Sequence, residues 1–427
     1  LQNSLFSQAY ITNRLFSRLE KLSDFEYIRT LVLLKDRVDI NELDRVLYQM
    51  KVSPEERAYI VITTLKDKAN STQGNLKNYL ETKILINEVK SYQSFWITNL
   101  IMVEAVKSVI LELANNPEVE LIDLDDELRL DPYVNEGPAP ENVQGSETGL
   151  KVINADKLWK MGITGQGRLV MNIDTGVEGS HPAFSSRWRG NFVPWNQAWF
   201  DPETNTSFPT DCDDHGSHTM GIMTGRAGSD TIGVAFDAQW IAAKTICSSP
   251  HTSKSIAAFQ WAMDPDGNPE TTSDMPDVIS NSWYDPNATD ECIGIYKLTF
   301  DAVEAAGIAI VFSAGNNGPG SSTITKPKNI NTNVVNVFAV GNINGNTTGY
   351  PIASSSSRGP STCGGSGSLL IKPEVVAPGT SVRSAIRGGG YGTMSGTSMA
   401  SPHVAGAIAL LKQAFPYLTG QQIKYAL

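Results

Sequence analysis

The sequence predicts an α/β domain built on a mostly parallel sheet with helices on both faces, preceded by a small α+β domain. Beyond residue 150, short apolar runs at 169–173, 240–244, 278–282 and 308–313 alternate with stretches of helical spacing near 215–224, 255–263 and 295–306. Runs that are apolar at almost every position belong to strands covered on both faces. Before residue 131, helix and strand patterns are mixed without that alternation. Between the two, 131–149 carries Pro132, Gly137, Pro138, Pro140, Gly145 and Gly149 with almost no apolar periodicity, the composition of an exposed, flexible boundary. The chain is therefore divided into a region 1–130, a linker 131–150 and a region 151–427.

In the first region, 27–34 reads as a strand and 39–50 as a short helix opened by Asp39. Pro54 begins a longer helix over 55–85, since proline suits a first turn. Residues 95–102 read as a strand, 103–114 have helical spacing, and 119–124 read as a strand again. In the second region the last long element is an apolar helix beginning at Ser398 and carrying Met399, Ala400, Val404, Ala405, Ala407, Ile408, Leu410 and Leu411. Residues 419–427 look helical and the sequence stops within them, so a C-terminal part of the domain is expected to be missing.

The chain has 427 residues, enough for a sizeable core, and a formal net charge of -11. That charge argues against nucleic acid, whose phosphates need clustered Lys and Arg. No apolar run reaches the length of a membrane span, the run 404–411 being ended by Lys412. Leu1 in place of Met is compatible with a leader already removed. The four cysteines, Cys212, Cys247, Cys292 and Cys363, show no CxxC spacing. Free buried thiols and disulfides in any of three pairings all remain open.

Ligands of open parallel sheets sit beyond the carboxyl ends of the strands. Asp174 ends the first run, Ser313-Ala314-Gly315-Asn316 ends the fourth, His215 opens one helix and Ser398 another. Singly, each has an ordinary reading: Asp174 as a turn residue, Asn316 as a loop amide, Ser398 as an N-cap. His215 and His218 could be a metal pair, but HExxH is absent and no third ligand is apparent. Together they fit one chemistry. A serine hydroxyl is a weak nucleophile until a neutral imidazole takes its proton, and that imidazole needs a carboxylate on its other nitrogen. Among His181, His215, His218, His251 and His403, His215 at a helix start is the best-placed base. The Asn316 amide would stabilise the oxyanion.

Three blocks, NIDTG at 172–176, HGSHTMG at 215–221 and GTSMASPHVAG at 396–406, closely resemble the subtilisin-like serine proteases (subtilases, peptidase family S8). The chain order Asp, His, Ser is also theirs. The resemblance runs from about Asn154 to the end, and the Asn281-Ser282-Trp283 stretch looks most like the bacillopeptidase F branch. It implies a three-layer α/β sandwich with a mostly parallel sheet, and peptide-bond hydrolysis through an acyl-enzyme. By position, Asp174 matches the carboxylate, His215 the general base, Ser398 the nucleophile and Asn316 the oxyanion-hole donor. The first region is similar to the family's propeptides, small α+β (ferredoxin-like) domains that act as chaperone and intramolecular inhibitor. Self-cleavage is then expected within 131–149.

The resemblance also implies that a polypeptide substrate adds as a strand beside Ser282, Trp283 and Tyr284, with Ala314 and Gly315 in the same binding region. Tyr284 departs from the family pattern, which commonly has glycine at the mouth of the pocket, and the preferred substrate residue stays open. No cofactor is implied for catalysis and no metal ligand is assigned. Structural calcium is compatible with the relatives' habit, with Asp264-Pro265-Asp266-Gly267-Asn268 as an oxygen-rich candidate that a plain turn explains as well. The expectation is a secreted, self-processing serine endopeptidase. The alternative, from another class, is a catalytically silent subtilase-fold binding or scaffold protein; an esterase of the α/β-hydrolase type is excluded by the absence of a GxSxG elbow.

Overall fold

The computed structural model describes residues 9–141 and 143–427; the first eight residues of the N-terminal region and Asn142 of the linker lie outside the described residues. The N-terminal region forms a mixed five-stranded sheet in the order Tyr10–Ile11, Val119–Leu124, Tyr27–Leu34, Leu100–Val106, Val89–Phe95. Successive side chains of a strand point to opposite faces, and the strand Tyr27–Leu34 uses both. Val32 and Leu34 join a local core with Leu15, Leu19, Leu76, Leu80 and Val109 from three helices. Leu31 and Leu33 face the main core, beside Ile40, Leu47, Val61 and Leu65 of the helices Ile40–Met50 and Pro54–Thr72.

Those two helices dock the region on the helix Ile295–Ala305. Arg57 is buried there, donating to Asp44 at 2.5 Å and to the Ala305 carbonyl at 3.1 Å, with its guanidinium 3.8 Å from the centre of the Tyr48 ring.

Three local expectations are corrected. The helix over 55–85 is two, Pro54–Thr72 and Gly74–Ile84, parted at Gln73. Gly74 weakens the continuation, and the Gln73 amide donates to the Phe95 carbonyl at 3.0 Å and to Asn99 at 2.9 Å. The strand over 95–102 is a hairpin, Val89–Phe95 and Leu100–Val106, turned at Asn99 with φ 53°. The helix expected from 103 starts at Lys107, because Val103 and Ala105 face the core with the alternation of a strand.

The second region contains a seven-stranded sheet in the order Trp199–Phe200, Gln239–Lys244, Leu169–Asp174, Val278–Asn281, Ala309–Ser313, Phe338–Ile343, Val375–Pro378. Every neighbouring pair is parallel. The four expected strands form its centre, and the outer three were not read from the sequence. The helices His215–Thr224 and Thr397–Ala414 pack on each other, as do Thr252–Met263 and Ile295–Ala305.

The linker is largely exposed, as its composition predicts, but it is paired as strand rather than left without regular structure. Arg129–Leu130 pairs antiparallel with Trp283–Tyr284, Val134–Pro138 pairs antiparallel with Tyr391–Ser395, and Gly145–Ser146 pairs with Asp230–Thr231. Asp131, between the first two ladders, is wholly buried. Proline and glycine lower the propensity for regular structure, but edge pairing with a preformed partner needs only an extended backbone.

Candidate active site

Asp174 is the last residue of the central strand Leu169–Asp174, and His215 is the first of the helix His215–Thr224. The two elements meet because Gly216 has no side chain: a Cβ there would lie 1.9 Å from the Gly176 carbonyl oxygen. The imidazole Nδ1 and the Asp174 carboxylate are thereby brought to 2.7 Å, both fully shielded from solvent. His215 Nε2 and Ser398 Oγ are buried, and neither has a hydrogen-bond partner. Ser398 is the second residue of the helix Thr397–Ala414, among N–H groups that have no intrahelical acceptor.

Burial alone would push the His215 imidazole down. The charge and hydrogen bond of Asp174, with Asp213 and Asp211 behind it, outweigh that and hold it above the usual histidine value. His218, three residues on, has its Nε2 3.1 Å and 3.2 Å from the carbonyls of Val382 and Gly392, and burial lowers it to about 3. His403 is likewise tied to a carbonyl, its Nδ1 2.8 Å from that of Met399.

The Asn316 side chain bridges two partners. Its Oδ1 accepts from the Thr397 N–H at 2.9 Å, and its Nδ2 donates to the Pro132 carbonyl at 2.8 Å. The linker thus lies across the site as an extended peptide. Leu130 and Arg129 pair with Trp283 and Tyr284, and the Asp131 N–H donates to the Ser282 carbonyl at 3.1 Å. Tyr133 donates to Asp213 at 2.7 Å with its ring centre 4.9 Å from that of His215. Ser282, Trp283 and Tyr284 therefore meet this segment through their backbone. The Trp283 ring is core, its indole N–H donating to Asn281 at 3.1 Å.

Ala314 and Gly315 stand one step behind. The Ala314 carbonyl accepts from the Thr325 N–H at 3.3 Å, and the Gly315 N–H donates to the Thr397 hydroxyl at 3.2 Å. Sequence reasoning missed four residues. The Asp131 carboxylate sits in a buried polar socket, hydrogen-bonded to Ser313, ion-paired with Lys328 and accepting from the Thr325 hydroxyl at 3.2 Å. Only the two lysines Lys326 and Lys328, in a stretch, 321–336, otherwise without charge, could have signalled it.

The cysteines form two disulfides, Cys212–Cys247 and Cys292–Cys363. The only group of potential metal ligands clustered among the described residues, Glu291 with Cys292 and Cys363, has its sulfurs in that second bond and offers no thiolate. At 264–268 two carboxylates already have partners in the protein. Asp264 is already ion-paired with Lys66, and Asp266 accepts from the Asn268 N–H at 2.8 Å as an ordinary turn does.

A family model described as the subtilase family matches residues 165–427. Bacillopeptidase F of Bacillus subtilis (strain 168) is 32% identical over 453 residues, covering 97% of this chain and 30% of that protein. Subtilisin E of the same organism is 33% identical over 305 residues, covering 70% of each. The alkaline protease of Alkalihalobacillus alcalophilus is 32% identical over 306 residues, covering 70% of this chain and 69% of that one. The chain thus spans less than a third of the length of bacillopeptidase F, and that similarity extends through the N-terminal region.

Proposed function

The chain belongs to the subtilase family of serine endopeptidases, and we propose that it hydrolyses peptide bonds through an acyl-enzyme on Ser398. The observation that carries this is the 2.7 Å His215–Asp174 pair, whose free imidazole nitrogen is buried along with the unpartnered Ser398 hydroxyl. In this reading His215 Nε2 takes the proton from Oγ as Oγ attacks the carbonyl carbon. Asp174 keeps the imidazole in the tautomer with Nδ1–H and stabilises the imidazolium that forms. The oxyanion is met by Asn316 Nδ2, which already donates to a peptide carbonyl. His215 then returns the proton to the leaving amine, and water repeats the sequence to free Ser398. A silent scaffold is not favoured, since it would have no use for an intact acid–imidazole pair.

The region before residue 131 is proposed as a propeptide that occupies its own active site, and the linker as the place of self-cleavage. The strand pairing on both sides of Asp131 supports this, because it is how a substrate would lie. Secretion is proposed with it. Two disulfides belong to an oxidising compartment, and no helix among the described residues is long and apolar enough to cross a membrane. The experiment is purification of wild type beside Ser398→Ala, followed by intact mass and casein hydrolysis. Only the wild type should lose a fragment ending within 131–149 and then digest casein. An Ser398→Ala chain cut there with no other protease present would remove the self-processing reading.

A further inference from the structure

We infer that the substrate pocket of this enzyme selects an acidic side chain, aspartate above all, immediately before the cut, and that Lys328 is the residue that selects it. This rests on the protease reading above and names its substrate class. The register comes from the segment already lying in the site. Arg129 and Leu130 form the antiparallel ladder with Tyr284 and Trp283, and Asp131 continues it through its N–H to the Ser282 carbonyl. The side chain that leaves the ladder at that point is Asp131, and it is fully buried, while Pro132 beside it is exposed. Asp131 is therefore what the pocket holds.

The pocket's chemistry is unlike that of an apolar slot. The Lys328 ammonium is itself fully buried, pairs with the Asp131 carboxylate, and has one further polar side-chain neighbour, the Ser313 hydroxyl at 3.3 Å. The Tyr284 ring lies 6.0 Å away, close enough to favour a cation. Tyr284 thus backs the ammonium. Thr325 donates to the other carboxylate oxygen. A neutral residue in the same place would bury the ammonium without a counter-charge, and a basic one would add repulsion. An unoccupied pocket admits water, which lowers the penalty but does not remove it, because a bound side chain expels that water.

The uncut segment is held out of register for cleavage after Asp131. Asn316 meets the Pro132 carbonyl, one residue beyond the one whose side chain fills the pocket. A peptide with an acidic residue followed by a residue other than proline can place the acidic residue's own carbonyl on Asn316 while its side chain reaches Lys328.

The test uses the full chain after its own processing and a set of internally quenched peptides identical except for Asp, Glu, Asn, Leu or Lys before a serine. The Asp peptide should exceed the Asn peptide in kcat/KM by on the order of 100-fold. Glu should fall about 10-fold below Asp, since its extra methylene displaces the carboxylate from Thr325. Lys328→Met should abolish the Asp-over-Asn ratio while Leu is cleaved at least as well as before, and Lys328→Arg should keep the preference for acids. A fluorophosphonate label on Ser398 is read in parallel. An enzyme that takes the label yet cleaves Leu as fast as Asp overturns the acidic pocket and leaves the protease reading intact. A chain that takes no label and cleaves nothing overturns both. The wild-type ratio decides the preference by itself, so a Lys328→Met chain that failed to fold would not rescue the idea.

Discussion

At the scale of single residues, the site is a set of charges whose values are fixed by burial and by one another. His215 must be neutral to accept a proton, and Asp174 holds it above the usual histidine value. The acid limb of kcat/KM against pH should therefore lie above about 6.5, the ordinary imidazole pKa. Asp174→Asn removes the largest upward influence on His215 and leaves only the more distant Asp213 and Asp211 against burial, so it should move that limb to lower pH while kcat falls by about 10⁴. A limb that stayed in place would mean that Asp174 does not set the base. Asn316→Ala should lower kcat by about 10² to 10³ with little change in KM, a magnitude borrowed from subtilisin and not deduced from this geometry. An unchanged kcat in steady-state assays would remove Asn316 from the oxyanion site. Asp174, His215, Asn316 and Ser398 could be picked out as candidates because the proposed reaction demands those side chains and each sits at a recognisable strand end or helix start. Asp131 and Lys328 were not: their meaning arises only when a linker and a loop almost two hundred residues apart meet in the same buried socket.

At the scale of elements, what decides the site is how closely a helix can approach a strand end. Gly216 stands against the Gly176 carbonyl, where a Cβ would lie at 1.9 Å. Gly216→Ala must push the helix His215–Thr224 off the sheet and carry His215 away from Asp174. The expected cost is about 1–3 kcal/mol in unfolding free energy, with a disproportionate loss of kcat, since sub-ångström to 1 Å misplacement can cost about 100-fold. Thermal unfolding and casein turnover of the variant check both, and an active, equally stable chain would show that the close approach is not needed. The central strands were readable because a strand covered on both faces is apolar throughout. The edge strand Trp199–Phe200 is only two residues long and leaves too little pattern to read. The run Leu100–Val106 is apolar except for Glu104, too little polar alternation to tell a strand buried on both faces from a helix. The linker failed for a different reason: its structure is imposed by the strands it pairs with, and its own composition carries no trace of them.

At the scale of the whole molecule, the first region is tied to the second by buried charges as much as by apolar packing. Arg14 donates to Asp123 of its own sheet at 2.6 and 2.7 Å and to Asp285 of the catalytic region at 2.9 Å. Asp285 is buried, and burial holds its carboxyl above the usual range although Arg14, Tyr296 and the Asn287 N–H all favour the ionised form. It can tolerate little further loss of partners. Nearby, Asp125 of the first region accepts from the Ser253 N–H at 2.7 Å and from Arg29 at 2.8 Å, so the same junction is held at a second point. In the proposed self-processing, these contacts join the apolar packing in setting how long the first region stays over the site after the linker is cut. Arg14→Met keeps the volume of the side-chain stem but leaves Asp285 facing a neutral group in a place closed to water. Breaking a buried pair from one side costs about 3–5 kcal/mol. In the uncut Ser398→Ala background that loss should appear as a lower unfolding temperature. In the active chain it should shorten the lag before casein hydrolysis begins, because a weakened inhibitor leaves sooner after cleavage. The two readouts separate causes: a lower unfolding temperature with an unchanged lag would mean that Arg14 only stabilises the fold, whereas a shorter lag restored toward normal by Arg14→Lys would assign the charge itself to retention of the inhibitor.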